Sequence, residues 1–154
     1  MNKKIPFFIV IALFLTAFNA LSKDNGIKIL SDQLNINMNE RKSTFTGNVY
    51  AYNKSLRIWS DKIIIKLRIN KDEIKEILAS GNVKIIRLIE GSKIYGDIAD
   101  YSLEEDVIII RGNVIVQENG NQISGSELIV DLKSSSSIMT GSDSNRVEAL
   151  ITSN

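Results

Sequence analysis

Apolar and polar residues alternate with a period of two along most of the chain beyond Ser22. Leu34, Ile36 and Met38 interleave with Gln33, Asn35 and Asn37, and Phe45, Gly47, Val49 and Ala51 interleave with Thr44, Thr46, Asn48 and Tyr50. The alternation recurs through Ile63, Ile65, Leu67 and Ile69 and through Leu128, Val130 and Leu132. Side chains of a strand point alternately to its two faces, so each segment predicts a strand with one apolar and one wet face. Polar clusters at 37–43, 53–55, 70–73, 90–92, 103–106 and 119–122 separate apolar runs of about five to eight residues, a spacing typical of all-β proteins. Ile63–Ile65, Val83–Ile89 and Val107–Ile110 carry aliphatics on both faces, which fits a strand covered on both sides or an exposed contact surface. No segment beyond Ser22 combines helical periodicity with caps; residues 71–78 read as a turn followed by a strand.

The strands belong to a repeat. Gly-Asn-Val occurs at Gly47-Asn48-Val49, Gly81-Asn82-Val83 and Gly112-Asn113-Val114. A small-acidic marker precedes each copy: Ser31-Asp32-Gln33-Leu34, Ser60-Asp61-Lys62-Ile63 and Gly96-Asp97-Ile98-Ala99, with a looser Gly125-Ser126-Glu127-Leu128. These markers read as turns. A fourth unit fades at Ile138-Met139-Thr140-Gly141, as terminal units of stacked arrays do. The glycines of the repeat fit a bulge or close strand approach that leaves no room for a Cβ.

Composition agrees with strands. Beyond Ser22 there are 23 Ile and 7 Val against 10 Leu, and β-branched side chains suit a pleated surface. The N-terminus sets the compartment: Lys3 and Lys4, an apolar segment from Ile5 to Phe18, then Ala20 and Ser22 at the minus-three and minus-one positions describe a secretory signal peptide cut after Ser22, or alternatively after Ala20. The other reading is a retained anchor, although the apolar segment falls short of the ~20 residues that span a bilayer. Residues 1–22 are thus expected to be cleaved and 23–154 to form a single domain. Without Lys3 and Lys4, the 19 Lys+Arg become 17 against 18 Asp+Glu, a near-neutral chain without the basic face of a nucleic-acid binder. A periplasmic location fits, and the absence of cysteine leaves no disulfide to rely on.

No catalytic constellation is present. Histidine and cysteine are both missing, which removes zinc sites of the usual kind and most nucleophile–base pairs; no metal or cofactor is expected. The carboxylates of Asp72-Glu73 and Glu104-Glu105-Asp106 fall in turns and read as solvated. No phosphate loop ends in Gly-Lys-Ser/Thr, so nothing in the chain drives work by nucleotide hydrolysis.

The ordered series Ile29-Leu30-Ser31-Asp32-Gln33-Leu34, Phe45-Thr46-Gly47-Asn48-Val49, Leu56-Arg57-Ile58-Trp59-Ser60-Asp61-Lys62-Ile63, Ala79-Ser80-Gly81-Asn82-Val83 and Arg111-Gly112-Asn113-Val114 resembles the LptA/OstA family of periplasmic lipopolysaccharide-transport proteins, over about residues 27–132. The resemblance implies a slightly twisted, V-shaped antiparallel β-jellyroll enclosing an apolar trough. Alternation then nominates the trough lining: Leu34, Ile36, Phe45, Val49, Ile58, Ile63, Ile65, Val83, Ile85, Ile98, Val114, Val116, Leu128 and Val130, with Phe45 the only inward aromatic. At ~0.8 kcal/mol per buried CH₂, an acyl chain with about ten methylenes carries ~8 kcal/mol of aversion to water, so the implied role is a non-enzymatic carrier that shields lipid A. Lys62, Lys66, Arg68, Lys84 and Arg87 are candidates for weak attraction of sugar and phosphate at the open edge.

Implied partners are lipopolysaccharide, the inner-membrane anchored jellyroll component, the periplasmic domain of the outer-membrane assembly protein, and further copies joined head to tail. Residues 27–30 and 147–151 are the candidate edge strands for such joining. The missing fourth Gly-Asn-Val and the polar C-terminus depart from the family pattern. Other readings are the anchored jellyroll component itself, a structural β-solenoid with a closed core, and a small β-helical polysaccharide lyase.

Overall fold

In a computed structural model, residues 26–89 and 91–152 are described. They form ten strands: β1 (Lys28–Leu30), β2 (Gln33–Asn37), β3 (Lys42–Tyr52), β4 (Leu56–Leu67), β5 (Ile74–Arg87), β6 (Lys93–Ser102), β7 (Val107–Glu118), β8 (Asn121–Asp131), β9 (Ser136–Thr140) and β10 (Glu148–Leu150). All pair antiparallel in one open sheet of order β1-β3-β4-β5-β6-β7-β8-β10, with β2 also on β3 and β9 also on β8. The all-β antiparallel expectation therefore holds. The expected signal peptide lies outside the described residues. The polar clusters at 53–55, 70–73 and 103–106 fall between the strands, and residues 71–73 lead directly into β5.

The six central strands are longer than the apolar runs predicted, because the small-acidic markers are not turns. Ser60-Asp61, Gly96-Asp97 and Gly125-Ser126 lie mid-strand and Ser31-Asp32 between β1 and β2, opposite Gly-Asn-Val of the neighbour, where the register shifts: between Thr46 and Val49, Ser80 and Val83, and Arg111 and Val114. Gly47 (φ 81°) and Asn48 (φ 46°) are both left-handed, as are Gly81 with Asn82 and Gly112 with Asn113. Two consecutive left-handed residues form a bulge that bends the strand, and Gly and Asn are the residues that tolerate it best. The neighbouring acid locks it: Asn48 Nδ2 donates to Asp32 Oδ2 at 2.8 Å, Asn82 to Asp61 at 3.0 Å and Asn113 to Asp97 at 3.1 Å. A Cβ added to Gly47, Gly81 or Gly112 would collide with the side chain of the same aspartate.

The bulge divides each long strand between two leaves. The first contains β1, β10 and residues 49–52, 56–60, 83–87, 93–96, 114–118 and 121–125; the second contains β2, β9 and the remaining halves. On β3, β5 and β7 the inward residues keep even spacing across the bend, as from Ala79 to Val83. On β4, β6 and β8 the spacing is odd: Ser60 to Ile63, Gly96 to Ala99, Gly125 to Leu128. Both leaves consequently turn their aliphatic rows to the same side, and one cluster of buried residues draws on both.

This lock sets the stability prediction. Gly81→Ala is expected to cost ~1–2 kcal/mol for left-handed backbone alone, plus the displacement of Asp61. Asn82→Ala is expected to lose ~1 kcal/mol with its hydrogen bond. Urea unfolding measures both; Gly81→Ala as stable as the parent would refute the lock.

Candidate functional site

The inner surface is built of cross-strand rows, since residues directly opposite in register share a face. In the second leaf one row runs Leu34, Phe45, Ile63, Ala79, Ala99, Ile110, Leu128, Met139, and the next runs Ile36, Ser43, Ile65, Ile77, Tyr101, Ile108, Val130. In the first leaf Ile29, Ala51, Ile58, Ile85, Ile94, Val116 and Ile123 form the matching row. Ile29, Ala51, Ile58 and Ile85 of the first leaf and Ile63, Ile65, Ala79 and Ile108 of the second line one shared cavity. The leaves thus face each other across an apolar space, and its volume is only about 30 Å³.

The structure brings together most of the nominated residues. Val49, Ile58, Ile63, Val83, Ile85, Val114, Leu128 and Val130 are buried inside, and Phe45, Ile65 and Val116 pack partly buried against them. Leu34 and Ile36 lie in the inner rows at the β2 edge but are 49% and 59% exposed, because no further strand covers them. Ile98 is a correction. It pairs with Ser80 and Arg111 on the outer face and is 39% exposed. Alternation counted from Ile94 and Gly96 fails at Asp97, where β6 changes parity; Ala99 and Tyr101 point inward instead.

Tyr101, 6% exposed, is therefore a second inward aromatic beside Phe45, and burial pushes its hydroxyl above the usual tyrosine range. Ala79, Ala99, Ile77, Ile108 and Ile110 were also not nominated, although Gly-Asn-Val and its acidic partner mark where the count must restart.

At the turn end of the first leaf the inner surface becomes polar. Arg87 lies opposite Leu56 and is 1% exposed, Arg87 N–H donates to the Ser92 carbonyl at 3.0 Å, and Ser92 and Glu118 are buried beside it. Arg87 is thus no open-edge cation. Lys66 is held by Glu76 at 2.7 Å, and Arg68 faces Glu73 at 3.8 Å, on the second leaf. Among the described residues no cluster of acidic side chains is arranged to hold a metal ion, and no helix is long and apolar enough to cross a membrane.

On the outer face of the second leaf, Asp100 stands between Leu78 and Ile109. Burial pushes its carboxyl above the usual carboxylate range, Glu76 adds to the rise, and Arg111 and Lys66 partly offset it.

This fold and this two-leaved apolar interior define a family. Residues 28–136 match the model of the LptA/(LptD N-terminal domain) LPS transport protein family, and the chain belongs to it. A protein of Rickettsia prowazekii of uncharacterised function is 27% identical over 127 residues, 81% of this chain and 88% of that one. The lipopolysaccharide export system protein LptA of Escherichia coli K12 is 28% identical over 111 residues, covering 68% of this chain but only 59% of its own length. Among solved structures, LptH of Pseudomonas aeruginosa, the LptA-homologous periplasmic component of that organism's lipopolysaccharide transport device, superposes with a TM-score of 0.71. It is 13% identical, over 84% of this chain and 96% of that one, and its jellyroll is the fold expected here.

Core and exposed lining separate by mutation. Ile110→Ala is expected to cost ~2–5 kcal/mol, whereas Ile36→Ala should change stability by less than ~0.5 kcal/mol, both read from urea unfolding. A second expectation concerns Asp100. A raised folded pKa favours the protonated fold, so the group's favourable contribution is complete in acid and is lost as pH rises through the folded value. Asp100→Asn should therefore raise the melting temperature at neutral pH and lose that advantage in acid; an equal gain at every pH would contradict the desolvation cause.

Proposed function

We propose that this chain is a periplasmic carrier that holds the lipid A acyl chains of lipopolysaccharide between its two leaves as the lipid moves from the inner to the outer membrane. The observation that carries this reading is the aliphatic inner surface, polar chiefly at the Arg87 end of the first leaf and open at the β2 edge where Leu34 and Ile36 are exposed. A closed solenoid would seal that end with a polar cap. Membership of an LPS transport family supports the same cargo. Aliphatic side chains without fixed polar hooks suit a lipid that must slide, because they bind every position alike. Sugars and phosphates remain outside in water, where they lose nothing.

The edges supply the joints. β1 with β2 bounds one side of the sheet and β9 with β10 the other, and among the described residues neither has an outer neighbour. Unpaired edges add further strands, which would lengthen the trough and join it to the anchored inner-membrane jellyroll, to the outer-membrane assembly protein's periplasmic domain, or to another copy.

Photo-crosslinking tests the proposal. A benzophenone side chain at Ile36 or Phe45 should yield a lipopolysaccharide adduct in cells, and the same probe at Thr46, exposed on the outer face opposite Lys62, should not. A folded protein giving no adduct from either inner position would refute the carrier. A probe at Ser137 in β9 should give a protein adduct of about twice the chain's mass in concentrated solution if copies join end to end.

A further inference from the structure

The outer face of the first leaf carries a second surface that the groove does not use. Tyr50 lies opposite Trp59, Trp59 opposite Lys84, and Lys84 opposite Tyr95. In the adjacent row Lys28 lies opposite Tyr52, Tyr52 opposite Arg57, and Ile86 opposite Lys93. Tyr50 stacks on Tyr52 with ring centres 5.1 Å apart and on Trp59 at 5.0 Å. Lys84 sits over Trp59 at 5.2 Å and Tyr95 at 5.9 Å, and Arg57 sits over Tyr52 at 5.4 Å. The patch crosses five adjacent strands, about 19 Å at the usual strand spacing.

Its charge is one-sided. Among the described residues Lys28, Arg57 and Lys84 have aromatic rings or backbone carbonyls as neighbours, Lys93 stands opposite Ile86, and none of the four has a carboxylate within salt-bridge distance, while Glu148 is the one acid in these rows and lies at the far β10 edge. On the other leaf most cations are compensated, as in Lys66–Glu76 at 2.7 Å, Arg111–Glu127 at 2.7 Å and Arg41–Asp72 at 3.0 Å. A near-neutral chain has thus concentrated uncompensated positive charge, three of its four tyrosines and its single tryptophan on one face.

We propose that this face docks on an anionic phospholipid surface. The four cations are complementary to lipid phosphates, each worth roughly a fivefold gain in binding near such a surface. Tyrosine, tryptophan and long basic side chains combine an apolar body with a polar tip, the composition that settles at the headgroup level. Ile86 and Ile115 in the same rows add apolar contact. The ring stacking argues against a glycan as the occupant. A sugar needs an open aromatic face, and here the faces of Tyr50, Tyr52 and Trp59 are taken by one another and by Lys84 and Arg57, leaving edges and polar tips outward. Docking through the outer face leaves the groove and both sheet edges unobstructed.

Trp59, the chain's only tryptophan and 36% exposed, reports the contact. Protein purified from the periplasm is mixed with vesicles containing phosphatidylglycerol and no lipopolysaccharide, so the outcome is independent of the groove's cargo. Co-flotation with the vesicles, a blue shift of Trp59 emission, weakening by salt, and absence of binding to pure phosphatidylcholine are expected. Lys84→Gln with Lys93→Gln should weaken binding ~30-fold, whereas Lys66→Gln with Lys133→Gln, on the other leaf, should change it less than about twofold. No flotation at low salt, or equal loss in both double variants, would overturn the proposal. So would a lipid-free phosphorylated oligosaccharide that shifts Trp59 emission while vesicles do not.

Discussion

The structure depends on one cross-strand lock, the left-handed Gly-Asn pair of one strand held by the aspartate of the next. Each lock bends the sheet at the same height on successive strand pairs, so the bends align into a single vertex. It also imposes odd spacing on the acidic strand and even spacing on the bulged one. That difference in count turns both leaves' aliphatic rows inward. Without it, a strand bent at the same place would send one half of its apolar residues to solvent. The groove, the segregated outer faces and the open edges all follow from that count. The three locks use Asp32, Asp61 and Asp97. In the fourth unit Glu127 pairs with Arg111 at 2.7 Å instead, and the sheet ends one strand later.

Strand identity and turn position were legible because both rest on local chemistry: β-branched residues at period two, and polar turn residues between them. Gly-Asn-Val was legible as a repeat but its partner was not. Asp61 and Gly81 are distant in sequence and meet only through strand pairing, so Ser60-Asp61 looked like a turn. The same blind spot explains Ile98. Its neighbours Ile94 and Gly96 face inward, and simple alternation carries that face past Asp97, where the lock reverses it. Ile63 and Ile65 were placed correctly because their count began after Asp61. Arg87 misled for another reason: an arginine at the end of an aliphatic run looks like a solvated strand end, and only the packing of the turn over it shows it to be buried.

The segments with aliphatics on both faces divide once the sheet is known. In Ile63–Ile65 the outer residue is Ile64, opposite Thr44 and Leu78, and in Val107–Ile110 the outer residues are Val107, opposite Ser102 and Asp131, and Ile109, opposite Asp100 and Ile129. These outer residues are only partly buried, and no second layer covers them among the described residues. The desolvated carboxyl of Asp100 belongs to this stripe: an acid between aliphatic neighbours loses hydration without gaining a dedicated partner. The two outer faces therefore differ in kind. One is aliphatic with compensated charge, and the other is aromatic with uncompensated cations.

The inner space poses the last physical question. A cavity of about 30 Å³ has room for only a few water molecules, far too little for an acyl chain. A lipid cargo therefore requires the leaves to part. The sheet is built to allow this, because it is open and no disulfide ties one leaf to the other. Across the groove the leaves are held mainly by side-chain packing of Ile, Val and Ala, which an entering hydrocarbon replaces contact for contact. Hydrogen bonds run along the ladders and at the vertex, and none of the side-chain hydrogen bonds of the locks crosses the groove. In the proposed carrier role, the residues that pack here as one core would become the lining once a lipid entered, so no apolar trough would stand open to water beforehand.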